Sequence, residues 1–201
     1  MNLVNLDQNI FLWISGLAGK FEVLDWIASL LANDYFIPAA VAMIAFGLWF
    51  SGLTPQERRR NQWGFIYAVA GFGCSSLVVA AINSVYFRPR PYVVFPQIIP
   101  QVDRLFYQPT VSSFPSYPAA LTFAFAFGIW MQNKKVGTLL FCLSAFMSLA
   151  RIYVGVHYAS DVVTGAIIGI VVTYFVSLLL KKVLRPIINL LIVTLEHLFL
   201  A

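Results

Sequence analysis

The sequence predicts an all-α fold, a polytopic membrane helical bundle with five to six transmembrane helices and amphipathic terminal helices. Three observations predict it. The 201 residues are 60% hydrophobic and only 10% charged, with a mean hydropathy of +0.82, far from the composition of an ordinary soluble domain. Several apolar runs approach the roughly 20 residues needed to cross a hydrocarbon core. The basic residues, finally, gather at alternate ends of those runs. Helices are required because backbone groups in lipid must bond within their own segment. The runs are also too continuously apolar for the alternating strands of a barrel.

In chain order, the first 34 residues lack a basic region followed by a small-residue cleavage site. The stretch "LDQNIFLWISGLAG" mixes Asp7, Gln8 and Ser15 with Phe11, Leu12 and Trp13, the pattern of an interfacial helix rather than a signal peptide. Spans are expected over about 35–52, 63–87, 116–133, 136–155 and 161–181. The tail "PIINLLIVTLEHLFLA" sets Asn189, Glu196 and His197 on one helical face, which fits a helix lying on the surface better than a sixth span. His197 has no companion histidine or carboxylate cluster with which to bind a metal. Cys74 and Cys142 fall inside apolar runs and read as small packing residues. No repeat or linker divides the chain, so residues 1–201 are expected to form one integral membrane domain.

The net charge of +5 does not point to nucleic acid. "ERRR" at 57–60, Lys134 with Lys135, and Lys181, Lys182 and Arg185 sit at alternate span ends, which is the positive-inside pattern. With those clusters in the cytoplasm, the N-terminal segment, the 88–115 loop and residues 150–161 share the opposite, extracytoplasmic face of the membrane. The aromatics of the long loop, Tyr92, Phe95, Phe106 and Tyr107, suit either a cover over a pocket or anchors at the interface.

Four elements converge on that face: "RPRP" at 88–91, "PSYPAA" at 115–120, Arg151, and His157 with Asp161. Pro115 and Ser116 mark a helix entry whose unpaired N–H groups favour an anion. Arg90 and Arg151 carry planar forks that match phosphate oxygens. Ser160 is the expected N-cap of the last span. A carboxylate four residues after His157 can hold one ring nitrogen and leave the other to attack. The same residues also fit a buried structural ion pair between Arg151 and Asp161 with His157 beside it. Elsewhere, "GAIIG" at 165–169 and the stripe Gly71, Gly73, Ser75 and Ser76 serve close helix packing, within the bundle or across a dimer.

These motifs resemble the membrane branch of the type 2 phosphatidic acid phosphatase superfamily, whose signature runs KxxxxxxRP, PSGH and SRxxxxxHxxxD. Here the blocks read "NSVYFRPRP" (83–91), "PSYP" (115–118) and "ARIYVGVHYASD" (150–161), and the likeness covers most of residues 20–181. The resemblance implies a metal-independent lipid phosphatase or diphosphatase with no cofactor. Its substrate is a phosphorylated lipid drawn from the membrane, and no protein partner is implied. It makes His157 the nucleophile of a phosphohistidine intermediate and Asp161 its orienting partner. Arg90, Arg151 and Ser116 hold the phosphoryl oxygens.

Four positions depart from the signature. Asn83 stands at the family lysine, a loss that Arg88 or Arg104 would partly replace; Tyr117 stands at the glycine and Ala150 at a serine. Pro118 stands at the histidine that protonates the leaving group, a role worth about 10²–10⁴ in rate, or about 3–5 kcal/mol. Tyr117 reads as a packing residue, since a phenol is a reluctant donor at neutral pH. When a lipid diphosphate is cleaved the lipid phosphate leaves readily as an anion and needs the acid least, so an isoprenoid diphosphate such as undecaprenyl diphosphate is expected ahead of phosphatidic acid. The rival expectation is a catalytically degenerate homologue that binds a phosphorylated lipid or serves as a structural membrane subunit.

Overall fold

The computed structural model describes residues 3–197, and every described segment of regular structure is helical. The N-terminal helix α1 spans Leu3–Ser15, and α2 (Glu22–Ala32) and α3 (Phe36–Trp49) follow, bent by 57° at their junction. Asn33 makes that bend, its Oδ1 accepting from the N–H of Tyr35 at 2.8 Å and of Phe36 at 3.1 Å. The long helix α4 covers Pro55–Val85 and begins with Thr54 Oγ1 capping the Glu57 amide at 3.2 Å and Pro55 at its first position. At 1.5 Å per residue it is about 46 Å long, more than a hydrocarbon core needs, so its basic first turns have length to spare.

Short helices α5 (Pro91–Val94) and α6 (Ile99–Leu105) shape the long loop. The bundle continues with α7 (Tyr117–Trp130), α8 (Lys134–Tyr153) and α9 (Ala159–Leu179), and a π turn at Leu180–Leu184 leads into α10 (Arg185–His197). Among the described residues, α4, α8 and the run from Ala159 to Thr194 are each long and apolar enough to span a membrane, and α2 with α3 qualifies as one broken span. The helix α7 has 14 residues, fewer than expected for 116–133, because Asn133 already caps α8 by accepting from the Val136 amide at 3.2 Å. Helical backbone also runs on from α9 into α10 where a surface helix was expected. Asn189, placed on the polar face, instead accepts from Trp63 Nε1 at 3.2 Å, while Ile188 and Ile192 pack against Trp49. The side chains of Glu196 and His197 lie outside the described residues.

Helix α7 sits at the centre, packed against α4, α8 and α9. Its buried face is made of Ala119, Ala120, Ala124, Ala126 and Gly128, small enough for backbones to meet. A Cβ on Gly165 would stand 2.5 Å from the Ser116 carbonyl, and one on Gly169 2.2 Å from that of Ala120. The GAIIG pattern thus joins α9 to α7 inside the bundle. Outward, Met43, Phe46, Leu77, Phe146, Val163, Ile167 and Phe175 are exposed, while Gln62, Ser75, Ser144 and Thr173 are buried. Such a surface has lipid as its solvent. Cys142 is on that outer surface rather than packed within, and Cys74 is half-buried.

The alternation of helices brings α1, the loop after α4, the start of α7 and the α8–α9 junction to one end of the bundle. The basic clusters lie at the other end, where Asn133 Nδ2 bonds Asn61 and Asn61 Nδ2 bonds the Ser51 carbonyl.

Candidate active site

A turn at the end of α8 sets the central imidazole in place. Gly155, at φ +94°, closes a Schellman motif: its amide bonds the Ile152 carbonyl and the Val156 amide that of Arg151, both at 3.1 Å. His157 follows at once, with 1% of its surface exposed. Its Nδ1 lies 3.0 Å from the Ser113 carbonyl, an acceptor only, so Nδ1 carries the proton and Nε2 the lone pair. Nε2 faces Arg90 Nη1 at 3.3 Å. Burial, together with the charges of Arg151 and Arg90, pushes the imidazole down to about 4, against the opposing Asp161.

Asp161 does not hold His157 by a hydrogen bond. Its Oδ2 is 3.7 Å from Nδ1, too far, and accepts instead from Ser113 Oγ and from the Tyr158 amide at 2.8 Å. Asp161 therefore caps the helix from its third position, with Tyr158 as N-cap residue where Ser160 was expected. Ser113 links the two groups, giving its hydroxyl to Asp161 and its carbonyl to His157.

Arg90 is buried and fixed by three carbonyls, Val111 at 2.9 Å, Val156 at 2.9 Å and Ser112 at 3.3 Å. Burial, with Arg151 nearby, pushes it down to about 10, so it remains a cation at neutral pH. Arg151 does not pair with Asp161, which removes the structural ion pair weighed from the sequence. Its Nη1 donates to Asp34 Oδ1 at 2.7 Å and to the Ala32 carbonyl at 2.8 Å. Asp34 in turn accepts from the Tyr107 hydroxyl. Arg90, Arg151, Asp34, Tyr107, Tyr117 and Pro118 all line a cleft of about 440 Å³. His157 lies behind Arg90, outside that lining.

Buried polar atoms without a hydrogen-bond partner at this end include Arg151 Nε and Ser116 Oγ. The Ser116 amide is taken by the Asp161 carbonyl at 3.0 Å, and Pro118 has no N–H, so the start of α7 offers the amides of Tyr117 and Ala119. Tyr117 is tied to α4 through Ser76 Oγ. Asn83 is outside the cleft lining, its Oδ1 buried without a partner.

Arg88 is not brought into the cleft as a phosphate ligand. It is clamped between Asp161 Oδ1 and Asp7 Oδ2, each at 2.6 Å, with its guanidinium 4.1 Å from the centre of the Tyr158 ring. Asp7 also accepts from the Ser160 amide at 2.9 Å, fastening α1 over the start of α9. Arg104 pairs with Asp25 at 2.7 Å, on the far side of Tyr107. The sequence reading assigned no site role to Asp7, Asp34 or Ser113, while Tyr107, read as a pocket cover or an interface anchor, lines the cleft. The two aspartates were visible as charges among apolar residues; Ser113 carried no mark.

The family model for the PAP2 superfamily matches residues 62–185, which contain every one of these motif positions. The chain belongs to the PAP2 superfamily. Undecaprenyl-diphosphatase BcrC of Bacillus subtilis is 30% identical over 187 residues, covering 93% of this chain and 90% of the relative. The putative undecaprenyl-diphosphatase YbjG of Escherichia coli is 27% identical over 172 residues, covering 84% and 80%. The crystal structure of Aquifex aeolicus LpxE superposes with a TM-score of 0.61 at 21% identity, over 85% of this chain and 94% of that one. This PAP2 member thus shares its fold with a solved relative while differing from it at most positions.

Proposed function

We propose that this PAP2 protein is a membrane lipid diphosphatase that cleaves an isoprenoid diphosphate such as undecaprenyl diphosphate through a phosphohistidine on His157. The observation that carries the reading is the state of that imidazole. Its Nδ1 proton is tied to a carbonyl, and its Nε2 lone pair sits beside an arginine that lines the cleft. Phosphoryl oxygens on Arg90 take over the long 3.3 Å contact and bring phosphorus to Nε2. Arg151 Nε and Ser116 Oγ are the further donors for those oxygens. The Ser113 carbonyl orients the ring, and the Asp161 carboxylate, 3.7 Å from Nδ1, stabilises its cationic form by charge. Pro118 in the cleft wall favours a leaving group that departs as an anion, and the likeness to a curated undecaprenyl-diphosphatase agrees. The basic clusters at the opposite end support an extracytoplasmic site.

The test is phosphate release by purified protein in detergent with a chelator present, comparing undecaprenyl diphosphate with phosphatidic acid and taking His157→Ala as the blank. Turnover on the diphosphate that vanishes in the variant is expected. Equal rates on phosphatidic acid refute the leaving-group argument, and activity surviving in His157→Ala refutes the nucleophile. One observation favours a second reading, a non-catalytic binder of phosphorylated lipid: the 1% exposure of His157 behind Arg90. Binding of either lipid without release above the blank is its signature.

A further inference from the structure

Hydrolysis of a phosphohistidine is accelerated by a group that takes a proton from the attacking water. Asp161 is unsuited to this, being fully buried. Pro118 offers no base. Among the residues lining the cleft, Asp34 supplies the carboxylate. It comes from the α2–α3 junction, a segment apart from the three motif blocks. Its side chain is 25% exposed, open to water in a way Asp161 is not. One oxygen accepts from Arg151 and the other from Tyr107, and all three residues line the same cleft that Arg90 borders.

We propose that Asp34 is the general base of the dephosphorylation step, with Tyr107 as its positioning residue. The proposal rests on the phosphohistidine reading above. In the first step the Nε2 lone pair of His157 forms a bond to phosphorus as the phosphorus–oxygen bond to the leaving group breaks, and the lipid phosphate departs as an anion. In the second, a water oxygen attacks phosphorus and the phosphorus–nitrogen electron pair returns to His157. Asp34 accepts the water proton and then passes it to the released phosphate or to solvent. Phosphoryl oxygens bound to Arg151 draw its charge away from Asp34, so the carboxylate is a stronger base in the intermediate than in the free protein. Tyr107 keeps its own proton throughout, burial and the Asp34 carboxylate pushing it up to about 12. It therefore donates to Asp34 without competing for the water proton.

The experiment follows both products of undecaprenyl diphosphate labelled at its terminal phosphate, using full-length protein in detergent. In Asp34→Asn, lipid phosphate should appear in a burst of about one per protein while inorganic phosphate release slows at least about 100-fold. Label should collect on the protein as an acid-labile, alkali-stable adduct. Hydroxylamine, a nucleophile that attacks without a base, should discharge the adduct, and Asp34→Glu should restore part of the rate. Tyr107→Phe, which leaves the Asp34–Arg151 pair in place, should raise the adduct level more mildly and serves if Asp34→Asn does not fold. An unchanged rate in Asp34→Asn, or equal slowing of both products with no trapped adduct, overturns the role of Asp34. Undiminished turnover in His157→Ala overturns the underlying reading instead, so the two failures are distinct.

Discussion

Acidification singles out one group in the site. His157 titrates at about 4 in the folded protein against 6.5 for an unperturbed imidazole. Above pH 6.5 the ring is neutral in both folded and unfolded chains, and its contribution to stability is complete. Between 6.5 and about 4 the unfolded chain binds a proton that the folded protein refuses, so stability falls throughout that window. Below it both states are protonated and the loss is complete. At about 1.4 kcal/mol for each pH unit, the drop comes to about 3 kcal/mol. The assay is thermal unfolding in detergent across this range for the native protein and for His157→Gln, because the variant keeps every carboxylate and lacks only this proton. Its pH dependence should be shallower by about that amount. In parallel, kcat/KM should hold its acid limb near 4, since that constant reports the free protein. Superimposable slopes for the two proteins, or an acid limb at 6.5, refute the burial argument.

Three further outcomes follow from the packing. Gly165→Ala should destabilise by about 1–3 kcal/mol despite the better helix propensity of alanine, because its Cβ meets the Ser116 carbonyl at 2.5 Å; a melting temperature at or above the native value contradicts this. Arg90→Lys should cut kcat/KM by at least about 100-fold, since an ammonium cannot reach the three carbonyls and His157 together; initial rates decide it. Ser113→Ala should lower kcat by about 10-fold with little change in KM, because Asp161 loses one donor while the carbonyl that holds His157 remains.

The helices and the end of the bundle that holds the site were legible because hydropathy and the positions of basic residues are one-dimensional signals. The third motif was legible for a related reason: Arg151, His157 and Asp161 lie within one turn and two helix ends. What the sequence concealed were partners chosen by tertiary folding. Arg88 reads as a second phosphate ligand beside Arg90, yet Asp7 reaches it across 81 residues. Ser113 acts through a backbone carbonyl, which every residue has, so no side chain announced it. Asp161 reads as the partner of His157 at four-residue spacing, but the chain between them turns and directs its oxygens to Ser113 and Tyr158. Short α7 was overextended because hydropathy runs on through Met131, where a turn and the Asn133 cap intervene.

The Asp7 clamp bears on how the chain is made. Synthesis delivers α1 and α4 well before α9, so Arg88 can be neutralised by Asp7 while Asp161 does not yet exist. Ser160 and Asp161 then dock onto a pair already formed, 153 residues after Asp7 in the case of Ser160. A chain halted before α9 still offers this cation a carboxylate, whereas one whose first helix is held away by a fusion partner offers it none until Asp161 arrives.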